Sequence, residues 1–208
     1  MRLILKSVQL YMEPENSELL PGENIILSKG ANAVIKLSEY GLSKFAFGQF
    51  MWVAGLKGKE AIGGKLSLTN YRLIFKSHRF NRLRGKFSIF LPAIAKMRDS
   101  SFLLTRKVAI VTKLTEFEFV IWGIPAFIKA VESAKAALKE DDIAKIRTYA
   151  VQYYERCGEG LQKFGGLETI NKIFLGGEKV KNLLDLATNP LEAIGVLSLQ
   201  ELFEKFIT

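Results

Sequence analysis

The sharpest hydrophobic pattern in the chain starts at Gly63-Gly64. Leu66 and Leu68 alternate with Lys65, Ser67 and Thr69, and then Tyr71, Leu73 and Phe75 alternate with Arg72, Ile74 and Lys76. A period of two is the mark of strands with one buried face, so this segment predicts a hairpin or bent strand turning at Thr69-Asn70. Upstream, Leu3 to Leu5, Ile25 to Leu27 and Ala33 to Leu37 are short apolar runs separated by Pro14, Pro21-Gly22, Gly30, Gly41 and Gly48, which suits strands and turns. Downstream, Phe87 to Leu91, Phe102 to Leu104, Val108 to Val111 and Glu116 to Trp122 read as further strands, with Phe117, Phe119 and Ile121 on one face of the last. Short strands at regular spacing predict a sandwich or barrel.

After Gly123 the period changes. Pro125 suits a first helical turn, and Phe127, Val131, Ala134 and Leu138 recur at helical spacing, predicting a helix of about a dozen residues. From Asp141 the stripe Ile143, Ile146, Ala150, Tyr153, Cys157, Leu161 and Phe164 predicts a long amphipathic helix. Gly165-Gly166 and Gly176-Gly177 punctuate shorter helices, and Ser198 to Glu201 forms a capping box before a last helix. The expected organisation is an α+β domain over 1–138 and a helical extension over 139–208, without internal repeats.

Composition changes this picture little, but charge changes it more. The chain has 208 residues, 49% hydrophobic and 25% charged, which fits folded protein and lacks the signature of disorder. The net charge of +9 is local. Residues 57–113 hold 14 Lys and Arg against Glu60 and Asp99 alone, while the segments on either side are neutral or acidic. Such a patch attracts polyanions, whether phospholipid headgroups, nucleic acid or an acidic protein. Its densest part runs from Lys76 to Lys86 between two apolar strands and is expected to be a connecting loop. The single cysteine, Cys157, excludes an internal disulfide and a thiolate zinc cage, and it lies on an apolar stripe as a core residue does. No export signal is evident and a cytoplasmic location is expected. The longest apolar stretch, Phe45 to Leu56, spans about 12 residues where a membrane helix needs about 20.

The segment Gly64-Lys-Leu-Ser-Leu-Thr-Asn-Tyr-Arg-Leu-Ile-Phe-Lys-Ser77 resembles the strand pair of the GRAM family. Leu-Leu-Pro-Gly-Glu23-Asn-Ile upstream, Ser88-Ile-Phe-Leu91 with Ile94, and Phe117 to Trp122 extend the likeness over roughly residues 15–138. The resemblance implies a pleckstrin-homology-like β-sandwich or barrel capped by a C-terminal helix, with a role in binding membrane lipids or peptides. Gly64, Thr69 and Asn70 are expected to serve the fold, because Thr and Asn side chains hydrogen-bond nearby backbone in turns. The expected ligand-binding residues are Lys76, His78, Arg79, Arg82, Arg84 and Lys86. The arginines offer bidentate forks for phosphate, and Phe80 and Leu83 between them are expected membrane contacts.

Catalysis finds no constellation to rest on. His78 is the sole histidine and has no Ser or Asp partner at local spacing. Asp141-Asp142 sit at a helix start, where carboxylates favour the dipole, and Glu13 and Glu15 sit in a turn. The glycine pairs match no phosphate-cradling motif. The expectation is a non-catalytic module without cofactor or metal, docking peripherally on anionic lipid headgroups. The alternative is a protein-interaction scaffold that self-associates or recruits a partner through its tail. Nucleic acid is the third class, with Phe80 as a stacking group but no recognised motif.

Overall fold

The computed structural model describes residues 19–36, 59–78, 86–113 and 116–163. Seven strands form one continuous antiparallel ladder: β1 (Ile25–Lys36), β2 (Lys59–Thr69), β3 (Arg72–Ser77), β4 (Lys86–Phe90), β5 (Lys96–Asp99), β6 (Lys107–Val111) and β7 (Glu116–Val120). Their order is β4-β3-β2-β1-β7-β6-β5, so β1 joins the β1–β4 half to the β5–β7 half. Helix α1 (Ile124–Ala136) follows the last strand, and α2 (Glu140–Lys163) follows α1. This meander of seven strands closed by a C-terminal helix fits the sandwich or barrel capped by a helix that the sequence predicts.

The core forms where the alternation predicts it. Leu66, Leu68, Leu73 and Phe75 are at most 1% exposed and face Phe87, Ile89, Val108, Ile110, Phe117 and Phe119. Rings from both halves meet there, with Phe75 5.3 Å from Phe87 and 5.8 Å from Phe119, and Phe87 5.8 Å from Phe117. Offset and tilted pairs at these separations add to the burial of the rings themselves. Helix α1 closes the sandwich with Ile124, Phe127, Val131 and Ala134, all buried. It starts at Gly123, whose φ of 70° is a backbone state that glycine adopts without strain, and Pro125 lies in its first turn.

Gly64 is required by space. A Cβ there would lie 2.3 Å from the Lys76 carbonyl oxygen and 2.6 Å from the Phe75 ring, so only glycine lets β3 press this close to β2.

Three expectations change. The two apolar runs at Ile25 and Ala33 are one 12-residue strand that passes straight through Gly30. Strand β5, Lys96-Met-Arg-Asp, carries no alternating signal because only Met97 turns inward. Phe102 to Leu104 is not a strand but the tip of the β5–β6 hairpin. Phe102 and Thr105 exchange both backbone hydrogen bonds (3.0 and 2.9 Å), and the three apolar side chains stand in water.

Candidate binding site

Antiparallel neighbours fix which connections share an end. β1–β2, β3–β4 and β6–β7 leave one end of the ladder, while β2–β3, β5–β6 and the β7–α1 junction leave the other.

At the first end the pairing registers align cations. Lys65 on β2 is opposite Lys76 on β3, and Lys76 is opposite Lys86 on β4. Because Leu66, Phe75 and Phe87 point into the core, these three lysines share the outer face. The row crosses β2, β3 and β4 near where the chain runs from β3 into β4. His78, half-buried, is held by a backbone hydrogen bond from its N–H to the Gly63 carbonyl (2.9 Å), extending the β2–β3 ladder by one step. Of the expected site residues, Lys76, His78 and Lys86 therefore lie at one end of one sheet. Arg79, Phe80, Arg82, Leu83 and Arg84 lie outside the described residues, as does the apolar stretch Phe45 to Leu56. Lys65 joins the site although sequence reasoning did not single it out. Its signal was available in the alternation, which places it off the face of Leu66 and Leu68.

Arg98 donates to both carboxylate oxygens of Glu116 (2.8 and 2.9 Å), and Lys107 approaches Glu118 at 3.9 Å, so these cations face acids across strands.

Lower on the outer face of β2–β4 is a buried polar network. Glu23 accepts Arg72 in a two-point ion pair (Nε to Oε1 2.9 Å, Nη2 to Oε2 3.0 Å), and the two side chains are 0% and 7% exposed. Its carboxylate also takes the Thr69 hydroxyl (2.7 Å) and the Leu20 N–H (2.7 Å). The Arg72 guanidinium lies over the Phe90 ring at 5.5 Å and the Tyr149 ring of α2 at 5.9 Å. Asn70 completes the link to the entry segment: its Oδ1 accepts from Asn24 N–H (2.7 Å) and its Nδ2 donates to the Gly22 carbonyl (3.0 Å). This cluster satisfies itself internally, so it holds the fold and offers a ligand nothing.

Helix α2 reaches the same region. Tyr71 donates its hydroxyl to Asp142 (3.1 Å), the Phe90 and Tyr149 rings are 5.9 Å apart, and Ile146 and Ala150 are fully buried. Burial, with the Asp142 hydrogen bond and the charges of Asp142 and Glu23, raises the Tyr71 phenol above its ordinary value.

Among the described residues no cluster of His, Cys, Asp and Glu could hold a metal ion, and no helix is long and apolar enough to cross a membrane.

No protein family matches the chain, and no curated protein does. Among solved structures the chain is similar to the C-terminal domain of an unknown protein from Leishmania infantum, with 16% identity, TM-score 0.39, and 55% of this chain and 86% of that one covered. It is also similar to the Vps36 N-terminal PH domain, with 18% identity, TM-score 0.36, and 61% of this chain and 91% of that one covered.

Proposed function

We propose that the chain is a non-catalytic binding module of GRAM type that docks on anionic lipid headgroups through the end bearing the β3–β4 connection. The observation that carries this reading is the Lys65–Lys76–Lys86 row, aligned by strand register and continuous in sequence with Arg79, Arg82 and Arg84. The row supplies point charges and the arginines supply forked donors, a combination suited to phosphate esters. Each base near an anionic leaflet contributes about 1 kcal/mol, so six give useful binding that weakens with salt. Phe80 and Leu83, interleaved with the arginines in sequence, would supply apolar contact.

The test is co-sedimentation of the full chain with phosphatidylcholine vesicles, with and without phosphatidylserine or a phosphoinositide. Binding is expected only with the anionic lipid, and R79E/R82E/R84E is expected to weaken it. Unchanged binding of that variant removes the basic segment from the site. Absence of binding to every vesicle sinks the lipid reading in favour of a protein scaffold, and displacement by a single-stranded oligonucleotide at equal charge points to nucleic acid.

A further inference from the structure

The end of the sandwich opposite the lysine row carries a feature that folding does not explain. The β5–β6 hairpin closes on a two-residue loop, Leu103-Leu104, between Phe102 and Thr105. Phe102, Leu103 and Leu104 are 59%, 78% and 93% exposed. Leu103 has a φ of 51°, the state that tight hairpin loops assign to Gly or Asn. Each residue is thus the wrong type for a solvated turn, and Leu103 is also the wrong type for its backbone. Three apolar side chains in a row at a tip form a protruding patch, which a protein avoids unless it is used.

The surroundings indicate what uses it. The Ile121 N–H donates to the Arg106 carbonyl (3.1 Å), which brings the next residue, Trp122, to the same end of the fold, where it is 77% exposed. The Lys29 ammonium donates to the Trp122 carbonyl (3.2 Å), and exposed Arg106 follows the tip directly. Exposed aliphatic and phenyl groups at the tip, an exposed indole at the same end and cations adjoining each are the group types that a bilayer interface takes: acyl chains, carbonyl region, anionic headgroups. Asp99 precedes the tip, and its carboxylate accepts the Ser101 N–H (2.9 Å) and lies in the field of Arg106.

We propose that the β5–β6 tip, Phe102-Leu103-Leu104 with Trp122, Arg106 and Lys29, is a second attachment point that inserts as a wedge into the interface of an anionic bilayer. It does not rest on the basic-segment site, from which it is separated by the length of the strands.

The chain has two tryptophans, so Trp52→Phe leaves Trp122 as the only indole reporter. This variant is mixed with phosphatidylcholine/phosphatidylserine vesicles containing brominated acyl chains. Trp122 emission is expected to shift to the blue and to be quenched. Adding Leu103→Ser and Leu104→Ser is expected to abolish the quenching and to lower vesicle partitioning, by on the order of 100-fold in the R79E/R82E/R84E background, with an unchanged circular dichroism spectrum because neither side chain packs on the core. R79E/R82E/R84E in the Trp52→Phe background separates the two sites. Quenching that survives in it supports the wedge even if the basic segment proves inert. An indole that stays unquenched while the chain sediments, or partitioning unaffected by the two serines, overturns the wedge and leaves the basic-segment reading intact.

Discussion

Two tight turns leave the same end of this sandwich, and their residue types are reversed relative to their surroundings. In the β2–β3 turn the side chains are polar and largely enclosed. The Thr69 hydroxyl oxygen accepts the N–H groups of Tyr71 (3.1 Å) and Arg72 (2.9 Å), and Asn70 is bonded to Gly22 and Asn24. In the β5–β6 turn the side chains are apolar and project into water, while the backbone closes on itself. The first arrangement costs little, because each enclosed polar group named here has a partner, and it ties together segments 46 residues apart. The second raises the free energy of the folded state and gains nothing from packing. The polar turn is therefore architecture, and a run that reads as a strand in the sequence is surface.

The strongest way to break this contrast is to unpair the polar turn. Glu23→Ala leaves the Arg72 guanidinium enclosed between Thr69, Phe90 and Tyr149 without its counter-charge, and losing one partner of a buried pair costs about 3–5 kcal/mol. The denaturant midpoint should fall accordingly. Arg98→Ala serves as its control: in the Arg98–Glu116 pair a single nitrogen, Nη2, reaches both carboxylate oxygens and the side chains are 51% and 31% exposed, so its loss should cost less than about 1 kcal/mol. Equal losses in the two variants would show that burial does not distinguish them.

Asn70→Ala comes next. It removes the acceptor of the Asn24 N–H and the donor to the Gly22 carbonyl, both at the partly solvated edge of the turn, where water replaces part of what is lost. The expected cost is about 1–2 kcal/mol, and amide exchange should accelerate at Asn24 before it does in β3. Exchange that speeds up uniformly would mean that Asn70 stabilises the whole sheet and does not pin the entry segment.

The polar turn was half legible in the sequence. Thr69 and Asn70 announce a turn by type, and the alternation around them places Leu66, Leu68, Leu73 and Phe75 in the core. Nothing local reveals that Glu23 is their partner, because the pairing depends on the long β1–β2 register that returns residue 69 to residue 25. The lysine row was likewise legible as face but not as alignment, since alternation gives the side of a strand and only pairing gives its neighbour. Strand β5 escaped because a strand with a single inward residue has no period to detect. Phe102 to Leu104 misled for a simpler reason: an exposed apolar run and a buried one have the same composition, and only the two backbone bonds between Phe102 and Thr105 tell them apart.

The smallest effect is the most discriminating, because its sign runs against the usual outcome of mutation. Leu103 occupies a left-handed backbone state that costs an L-residue about 1–2 kcal/mol, and glycine escapes that cost while losing about 0.5–1 kcal/mol of chain entropy on folding. The side chain is 78% exposed, so its removal forfeits almost no burial. Leu103→Gly should therefore raise stability by a few tenths to about 1 kcal/mol, readable as a higher thermal midpoint. In the R79E/R82E/R84E background, vesicle partitioning of the same variant should fall roughly tenfold through the lost leucine. A residue whose replacement stabilises the fold while weakening attachment is held in place by attachment. If Leu103→Gly instead destabilises the chain, the leucine contributes to folding after all, and the two turns differ in composition but not in purpose.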